Sequence, residues 1–400
     1  MTQLFSEQAL LRETAVRVAA TLSGSFRHVI DALPGRPRRP RHVAQCVGTN
    51  PNFAHRLCTA IGKSDPIETL LAIPGPVPLS QFADSAQALG VAEEICESAR
   101  RAVSEFESLV QAVGNDRVTF DAVLSEWVPG VRTQLDATAR QSVYRGLRQI
   151  RGASAETHFF AALMHPSADD ERRLDVLVVS GHLGVERLRS SGRFVLTDEV
   201  HLLKNAAAAE SGYRVLPEYC STPAPSFETV RAGDGMRYLL EWPGSFGKAS
   251  SRDIVLAAMH RRGFVRRRTD DSQRMGAVTT RPNVPSRRMV FDLILHRDAM
   301  PGCIPYFRAY AAKWSGLNSP NNPLDELNVL PHSAEVQTVR DGGVEELTTP
   351  EVPFHRQLLA EQCRDLGWNL AQFRAFRVRL EYPLLDADLQ FVIPLPGADG

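Results

Sequence analysis

Arg41-His-Val-Ala-Gln-Cys-Val-Gly-Thr-Asn-Pro-Asn-Phe-Ala-His-Arg-Leu-Cys-Thr-Ala-Ile61 is the stretch on which the reading of the first third of the chain turns. Gly48 accepts the left-handed backbone that ends a helix. Two residues on, Asn50 is a good helix cap, and Pro51 suits the first helical turn, where its missing N–H costs nothing. The spacing predicts a helix up to Val47, a tight turn, and a second helix from Pro51. The second helix would leave Asn52, His55, Arg56 and Thr59 away from the apolar Val47 and Leu57. Side chains of these types reach base edges or phosphates in a major groove.

Ala44 is the small residue where a second helix crosses the first, Gly48 makes the turn, and Val43, Val47, Ala54 and Leu57 interlock the pair. With these residues, Pro40 to Ala60 resembles the helix-turn-helix of bacterial transcription regulators. The resemblance covers roughly twenty residues of the chain. It implies double-stranded DNA as partner and Asn50, Asn52, His55, Arg56 and Thr59 as contacts. It also implies a homodimer or higher oligomer, because two-fold operators require one. The same residues are compatible with two packed helices in an all-α domain that reads nothing. The segment after Ser64, Asp-Pro-Ile-Glu-Thr-Leu-Leu-Ala-Ile-Pro-Gly-Pro, is similar to one that uncharacterised bacterial proteins place behind a helix-turn-helix, which implies no activity. No Gly-turned strand pair precedes Pro74, so no wing is expected.

Two neighbouring features favour the DNA reading. A proline-broken arm carries Arg36, Arg38, Arg39 and Arg41 into the first helix, where cations can track phosphates or enter a minor groove. Charge then reverses along the chain. Residues 1–62 hold eight Arg against Glu7, Glu13 and Asp31, a net of +5, whereas residues 63–130 carry a net of −7. That asymmetry suits a DNA-facing head followed by a segment that avoids DNA. Net charge over the whole chain is zero, so only this distribution is informative. Lysine is confined to Lys63, Lys204, Lys248 and Lys313, a bias that reflects genome composition more than chemistry.

Before the arm, Leu4, Leu11, Ala15, Val18, Leu22, Phe26, Val29 and Leu33 recur at helical spacing and form one stripe, with Gly24 a place where the helix can split. This stripe serves either to pair two copies or to pack within the chain. Ile73-Pro-Gly-Pro-Val-Pro78 reads as a stiff boundary. A strong stripe from Ala92 to Val113 and another over Val131–Ile150 (Leu135, Ala139, Val143, Leu147, Ile150) predict two further helices.

Beyond residue 153 short apolar runs predict strands at His158–Met164, Leu174–Val179, Met289–Leu295 and Leu389–Ile393. Phe376, Val378, Leu380 and Tyr382 alternate with Arg377, Arg379 and Glu381, the pattern of a half-exposed strand. A hairpin is expected over Val336–Leu347 around Asp341-Gly342, and helices at Ser251–Arg262 and His355–Leu370. The fold class expected is therefore α+β and multidomain. A helical domain with the helix-turn-helix spans 1–75, a helical segment 76–152, and an α+β domain of unassigned role 153–400.

Chemical signatures are sparse, and no catalytic residue, metal ligand or cofactor is expected. The N-terminus has no secretory pattern, and no apolar run is long enough for a membrane span, which points to the cytoplasm. Cys46, Cys58, Cys96, Cys220, Cys303 and Cys363 show no paired spacing and read as reduced thiols. Gly244-Ser-Phe-Gly-Lys248 lacks the flanking residues of a phosphate loop, and Ser245-x-x-Lys248 has no companion motif. His296-Arg-Asp298 lacks the rest of a kinase loop. His158, His165, His182 and His201 are too irregularly spaced for a metal site.

A second basic cluster runs through Arg261, Arg262, Arg266, Arg267, Arg268, Arg274, Arg281, Arg287 and Arg288, and it reads as a nucleic-acid surface, an anion site, a subunit contact or a solvated loop. Trp314, Asn318, Asn321 and Asn322 form a polar loop, either a pocket wall or a structured turn. The expected function is that of a bacterial DNA-binding transcription regulator with a C-terminal ligand-binding or oligomerisation domain. The alternative is a non-enzymatic assembly protein whose helical head mediates packing.

Overall fold

The computed structural model describes residues 2–189, 194–198, 211–223, 226–232, 235–241, 246–268, 272–332, 334–339 and 344–397. Gly244, Ser245, His201, Asp270, Asp271 and the Asp341-Gly342 turn lie outside them. The chain is α+β and falls into two units, Met1–Asp136 and Ala137–Gly400. No helix among the described residues is long and apolar enough to cross a membrane.

The first unit is all helical: α1 (Thr2–Ala32), α2 (Pro40–Val47), α3 (Pro51–Ile61), α4 (Pro66–Ala72), α5 (Pro76–Ala88), α6 (Glu93–Val113) and α7 (Arg117–Ser125). Its stops and starts are chemical. Asp65 caps α4 through the Glu68 N–H, and Asp116 caps α7 through the Thr119 N–H. The Asp116 carboxyl is held below the usual range by the bonds from Thr119.

The α1 stripe of Ala15, Val18, Leu22, Phe26, Val29 and Leu33 is fully buried in the core of this unit, with α6 packed along α1. Of the two uses expected for the stripe, it is the intramolecular one that forms. Helix α1 also runs through Gly24 without a break. One core includes Leu57 of α3, Phe82 of α5, Phe106 of α6 and Phe120 of α7. The stiff Ile73–Pro78 stretch thus joins α4 to α5 inside one core, where the sequence suggested a domain boundary after residue 75. Helix α8 (Pro129–Arg151) crosses from one unit into the next, and its apolar stripe is not buried: Val143 is 44% and Ile150 68% exposed.

In the second unit β1 (Ala153–Pro166) and β2 (Arg173–Arg187) are antiparallel neighbours. Strands β3 (Phe194–Asp198), β5 (Ser226–Ala232) and β6 (Gly235–Glu241) form a small separate sheet. The main sheet adds β4 (Ser211–Val215), β7 (Gly247–Val265), β9 (Ser286–His296), β11 (Gln337–Val339) and β12 (Phe373–Glu381), in the order β11-β12-β9-β1-β2-β7-β4. Strand β9 pairs with β1 in parallel, and the other neighbours pair antiparallel.

Both faces of this sheet are covered, which is why its central strands read as nearly continuous apolar runs. Phe160, Ala162 and Met164 of β1 face a three-stranded sheet of β8 (Met275–Thr280), β10 (Tyr306–Ala311) and β13 (Ala387–Pro394), where Phe391 packs on Phe291 at 4.6 Å between ring centroids. Phe159, Ala161 and Leu163 face the other way, with Leu358, Leu359 and Cys363 of α9 (His355–Asp365) in the same cluster.

Three local expectations are corrected. Ser251–Arg262 is not a helix but the middle of β7, since Ile254-Val-Leu-Ala-Ala258 is buried on both faces between β2 and β4. Residues 344–347 form a 3-10 turn, and β11 pairs with β12 in place of the expected hairpin. Strand β12 is not half exposed at Arg377, which is only 1% exposed. There Arg377 Nε and Nη2 donate to the two oxygens of Asp292 at 2.8 and 2.7 Å, and Nη2 also donates to the Leu347 carbonyl at 3.1 Å. His355 Nε2 lies 3.4 Å from the same carboxylate.

Two buried polar contacts in this unit lend themselves to a direct stability test. Removing the carboxylate by Asp292→Ala leaves Arg377 buried and unpaired, and the expected loss is about 3–5 kcal/mol, readable by urea denaturation. Across β1 and β2, His158 and His182 stack at 4.3 Å between centroids, both buried, with His158 Nδ1 and His182 Nε2 unpartnered. Burial pushes His158 down to about 4, and burial together with His158 pushes His182 well below the ordinary value. The neutral rings are therefore the folded form. Their contribution is intact above the unfolded value of about 6.5 and is lost as pH falls from there toward about 4. Thermal melting of the second unit is expected to drop steeply over that window, and His158→Leu with His182→Leu is expected to flatten the drop.

Candidate nucleic-acid interface

Helix α2 ends where the sequence says it must. Gly48 sits at φ 69°, ψ 28°, and its N–H and that of Thr49 both return to the Ala44 carbonyl. Asn50 caps α3, its side-chain oxygen accepting from the Asn52 N–H at 2.8 Å, and Pro51 occupies the first turn. Val43, Ala44 and Val47 of α2 and Ala54, Leu57, Ala60 and Ile61 of α3 are all buried. Phe53 adds a ring contact to Phe82 of α5 at 5.6 Å. Arg27 of α1 donates to the Ile61 carbonyl at 2.8 Å, which ties the end of α3 to the long helix. The pair is therefore fixed to the core of the helical unit.

What remains outside is polar. Asn50, Asn52, His55, Arg56 and Thr59 are all exposed, as are Arg36, Arg38, Arg39 and Arg41 of the arm. Asn52, His55, Arg56 and Thr59 share the outer face of α3 because they recur at steps of three and four. Arg56 is distinct from the others. Its guanidinium donates a long 3.5 Å bond to the Ile73 carbonyl at the end of α4, and its charge acts on Asp121. It lies at the edge of the polar face. The structure adds His42 and Gln45, exposed on α2 beside Arg41. Their signal in the sequence was their offset from Val43 and Val47, the buried residues of the same helix.

The second basic cluster is dispersed. Arg261 pairs with Asp175 at 2.7 Å, and Arg281 with the fully buried Asp388 at 2.6 Å. Arg266 donates to the carbonyls of Ala299, Asp298 and Glu171 and so fastens two loop segments to the end of β7. Arg287 and Arg288 both approach Glu156. Arg262 and Arg267 are exposed, and Arg268 is half-buried. These partners make most of the cluster a set of separate fastenings.

The remaining candidates take structural places. Asn318 donates to Asp388 and to the Ala311 carbonyl, and Asn321 pairs with both backbone groups of Met275, so the polar loop is a pinned turn, and Asn318 and Asn321 also line a pocket of about 170 Å³. Trp314 stands fully exposed from it. His296 accepts from the Asp298 N–H and packs with His165 and Phe373. Among the described residues no group of three or more His, Cys, Asp or Glu side chains is placed to hold a metal ion. All six cysteines are free thiols.

Comparison of the chain with protein-family models, curated proteins and solved structures finds no match. The turn between α2 and α3 rests on Gly48. A Cβ at Gly48 meets no neighbour within 4 Å, so any cost arises from the left-handed backbone alone. Gly48→Ala is expected to cost about 1–2 kcal/mol, and Gly48→Asn distinctly less, with thermal unfolding of the helical unit as readout.

Proposed function

We propose that the chain is a DNA-binding protein, a regulator of the bacterial helix-turn-helix kind working in the cytoplasm. The observation that carries this reading is the outer face of α3. Four polar side chains stand exposed on a helix whose opposite face is locked into a core, and four arginines, Arg36, Arg38 and Arg39 before α2 and Arg41 in its first turn, are exposed on the same unit.

On this reading α3 enters a major groove. Asn52 and His55 lie on the base edges, with Thr59 a turn further along. Arg36, Arg38, Arg39 and Arg41 take phosphates and set register without reading sequence. Arg56, drawn toward α4, suits a phosphate at the groove edge. The function is binding, with no chemical step. A second copy, if one is needed for a two-fold site, docks by a surface other than the buried α1 stripe, and the second unit serves a ligand or that assembly.

Fluorescence anisotropy with a selected duplex tests the reading. Affinity should fall steeply with salt, by about 0.9 log units per log unit of salt for each phosphate neutralised. Arg39→Ala with Arg56→Ala should make that slope shallower by about 2 and weaken every duplex alike. Asn52→Ala should instead relax base preference, at about 1–3 kcal/mol for the base it reads. Duplex affinity unaltered by the double arginine variant at moderate salt would end the proposal.

A further inference from the structure

A cleft of about 640 Å³ opens at the end of the main sheet where β1 and β9 start and β2 and β12 finish. It lies wholly within the second unit. One wall is α8, with Gln141, Tyr144, Arg145 and Arg148, and Arg287, Lys248 and Tyr382 stand among the strand ends opposite. Its volume is in the range of small-molecule sites.

The charge in the cleft is one-sided. Arg145, Arg148, Lys248 and Arg287 face only Glu156 and Glu186 among its lining carboxylates. Arg148 is spoken for, donating to the Ser154 hydroxyl at 2.9 Å and to Glu186 at 2.8 Å. Arg287 is 3.4 Å from Glu156, which it shares with Arg288. Arg145 and Lys248 are exposed and have no hydrogen-bond or ion-pair partner among the described residues.

The wall is also built from unusual backbone. Tyr382 is at φ 51°, although it carries a side chain, and its N–H bonds the Arg287 carbonyl at 2.8 Å. Gly184 and Gly247 are both at φ 61°, and Gly184 lies in a β-bulge of β2 against β7. Non-glycine residues at positive φ and bulges concentrate where a fold aims side chains at a ligand. Here the turn at Tyr382 sets its ring against Tyr144 at 5.3 Å, and Gln141 donates to its hydroxyl at 2.9 Å.

We propose that this cleft binds a small organic polyanion of nucleotide size. Its phosphate or carboxylate groups meet Arg145 and Lys248, the paired Arg148 and Arg287 add positive charge around them, and its ring lies by Tyr144 and Tyr382. A bare phosphate would leave most of the volume unfilled.

Isothermal titration of the full chain with ATP, inorganic pyrophosphate, citrate and adenosine tests this. Saturable one-site binding of ATP is expected, with adenosine at least tenfold weaker. Tighter binding of pyrophosphate than citrate identifies phosphate as the favoured anion, the reverse order identifies carboxylate, and either order supports the site. Arg145→Ala with Lys248→Ala should weaken the anion tenfold or more, and Arg145→Gln with Lys248→Gln, which removes the charge but keeps a polar side chain, should do the same. Arg297→Ala, exposed and outside the cleft, should change nothing, and Arg39→Ala with Arg56→Ala should leave anion affinity intact whether or not DNA binds. The proposal is overturned by absent saturable binding of every anion at low salt, by equal affinity in the paired variants, or by adenosine matching ATP. It is equally overturned if a DNA duplex displaces ATP and loses its own affinity in the same paired variants, which would make the cleft a nucleic-acid surface.

Discussion

The parallel pairing of β1 with β9 is the constraint from which the second unit follows. Ala155 stands opposite Ser286 and Met164 opposite Leu295, so two strands far apart in sequence begin at the same end of the sheet. Parallel neighbours need a long crossover. Here the crossover contains β2 through β8, including strands that extend the same sheet on its other side and one that joins the covering sheet. With β9 and β2 on its edges and the three-stranded sheet and α9 over its faces, the middle of β1 is buried all round, and every residue from Phe159 to Met164 is in a core. The start of β1, the start of β9 and the ends of β2 and β12 then converge, and the cationic cleft sits there.

A buried charge marks the same logic on the other side of the sheet. Asp292 points to the face under α9, where an apolar residue would be expected, and finds Arg377 from the neighbouring strand. Bidentate geometry and the carbonyls of Leu347 and Thr348 satisfy the guanidinium. Such a pair contributes less to net stability than to uniqueness of register, because a slip of one residue would leave both charges buried and alone. It fixes β12 on β9 and draws the 344–349 segment against them.

The helical unit depends on burial of a different kind. Helix α1 gives one apolar stripe to α6, and α2 and α3 are short helices that cannot stand without that base. Their apolar positions are committed inward, which is what frees Asn52, His55 and Thr59 to face outward. The arm and the outer face are thereby exposed together, on one unit, while most of the arginines after residue 260 are tied to carboxylates and carbonyls.

Sequence alone determined the features that are local. Gly48, Asn50 and Pro51 carry the turn and the cap in their own backbone chemistry, and the α1 and α6 stripes follow from period. The positions of β1, β2, β9, β12 and β13 follow from short apolar runs. Tertiary structure decided what depends on the second partner. Ile254–Ala258 has no period, so only its place between β2 and β4 makes it a strand. Arg377 looked solvent-facing because its counter-charge, Asp292, lies on another strand. The exposed stripe of α8 and the use of the α1 stripe depend on which surface covers them, which no local pattern encodes. The cleft residues come from α8, four strands and the turn after β12, and Arg145, Lys248 and Tyr382 have no spacing in sequence that joins them. Their convergence is a consequence of strand order, and strand order is set by long-range pairing.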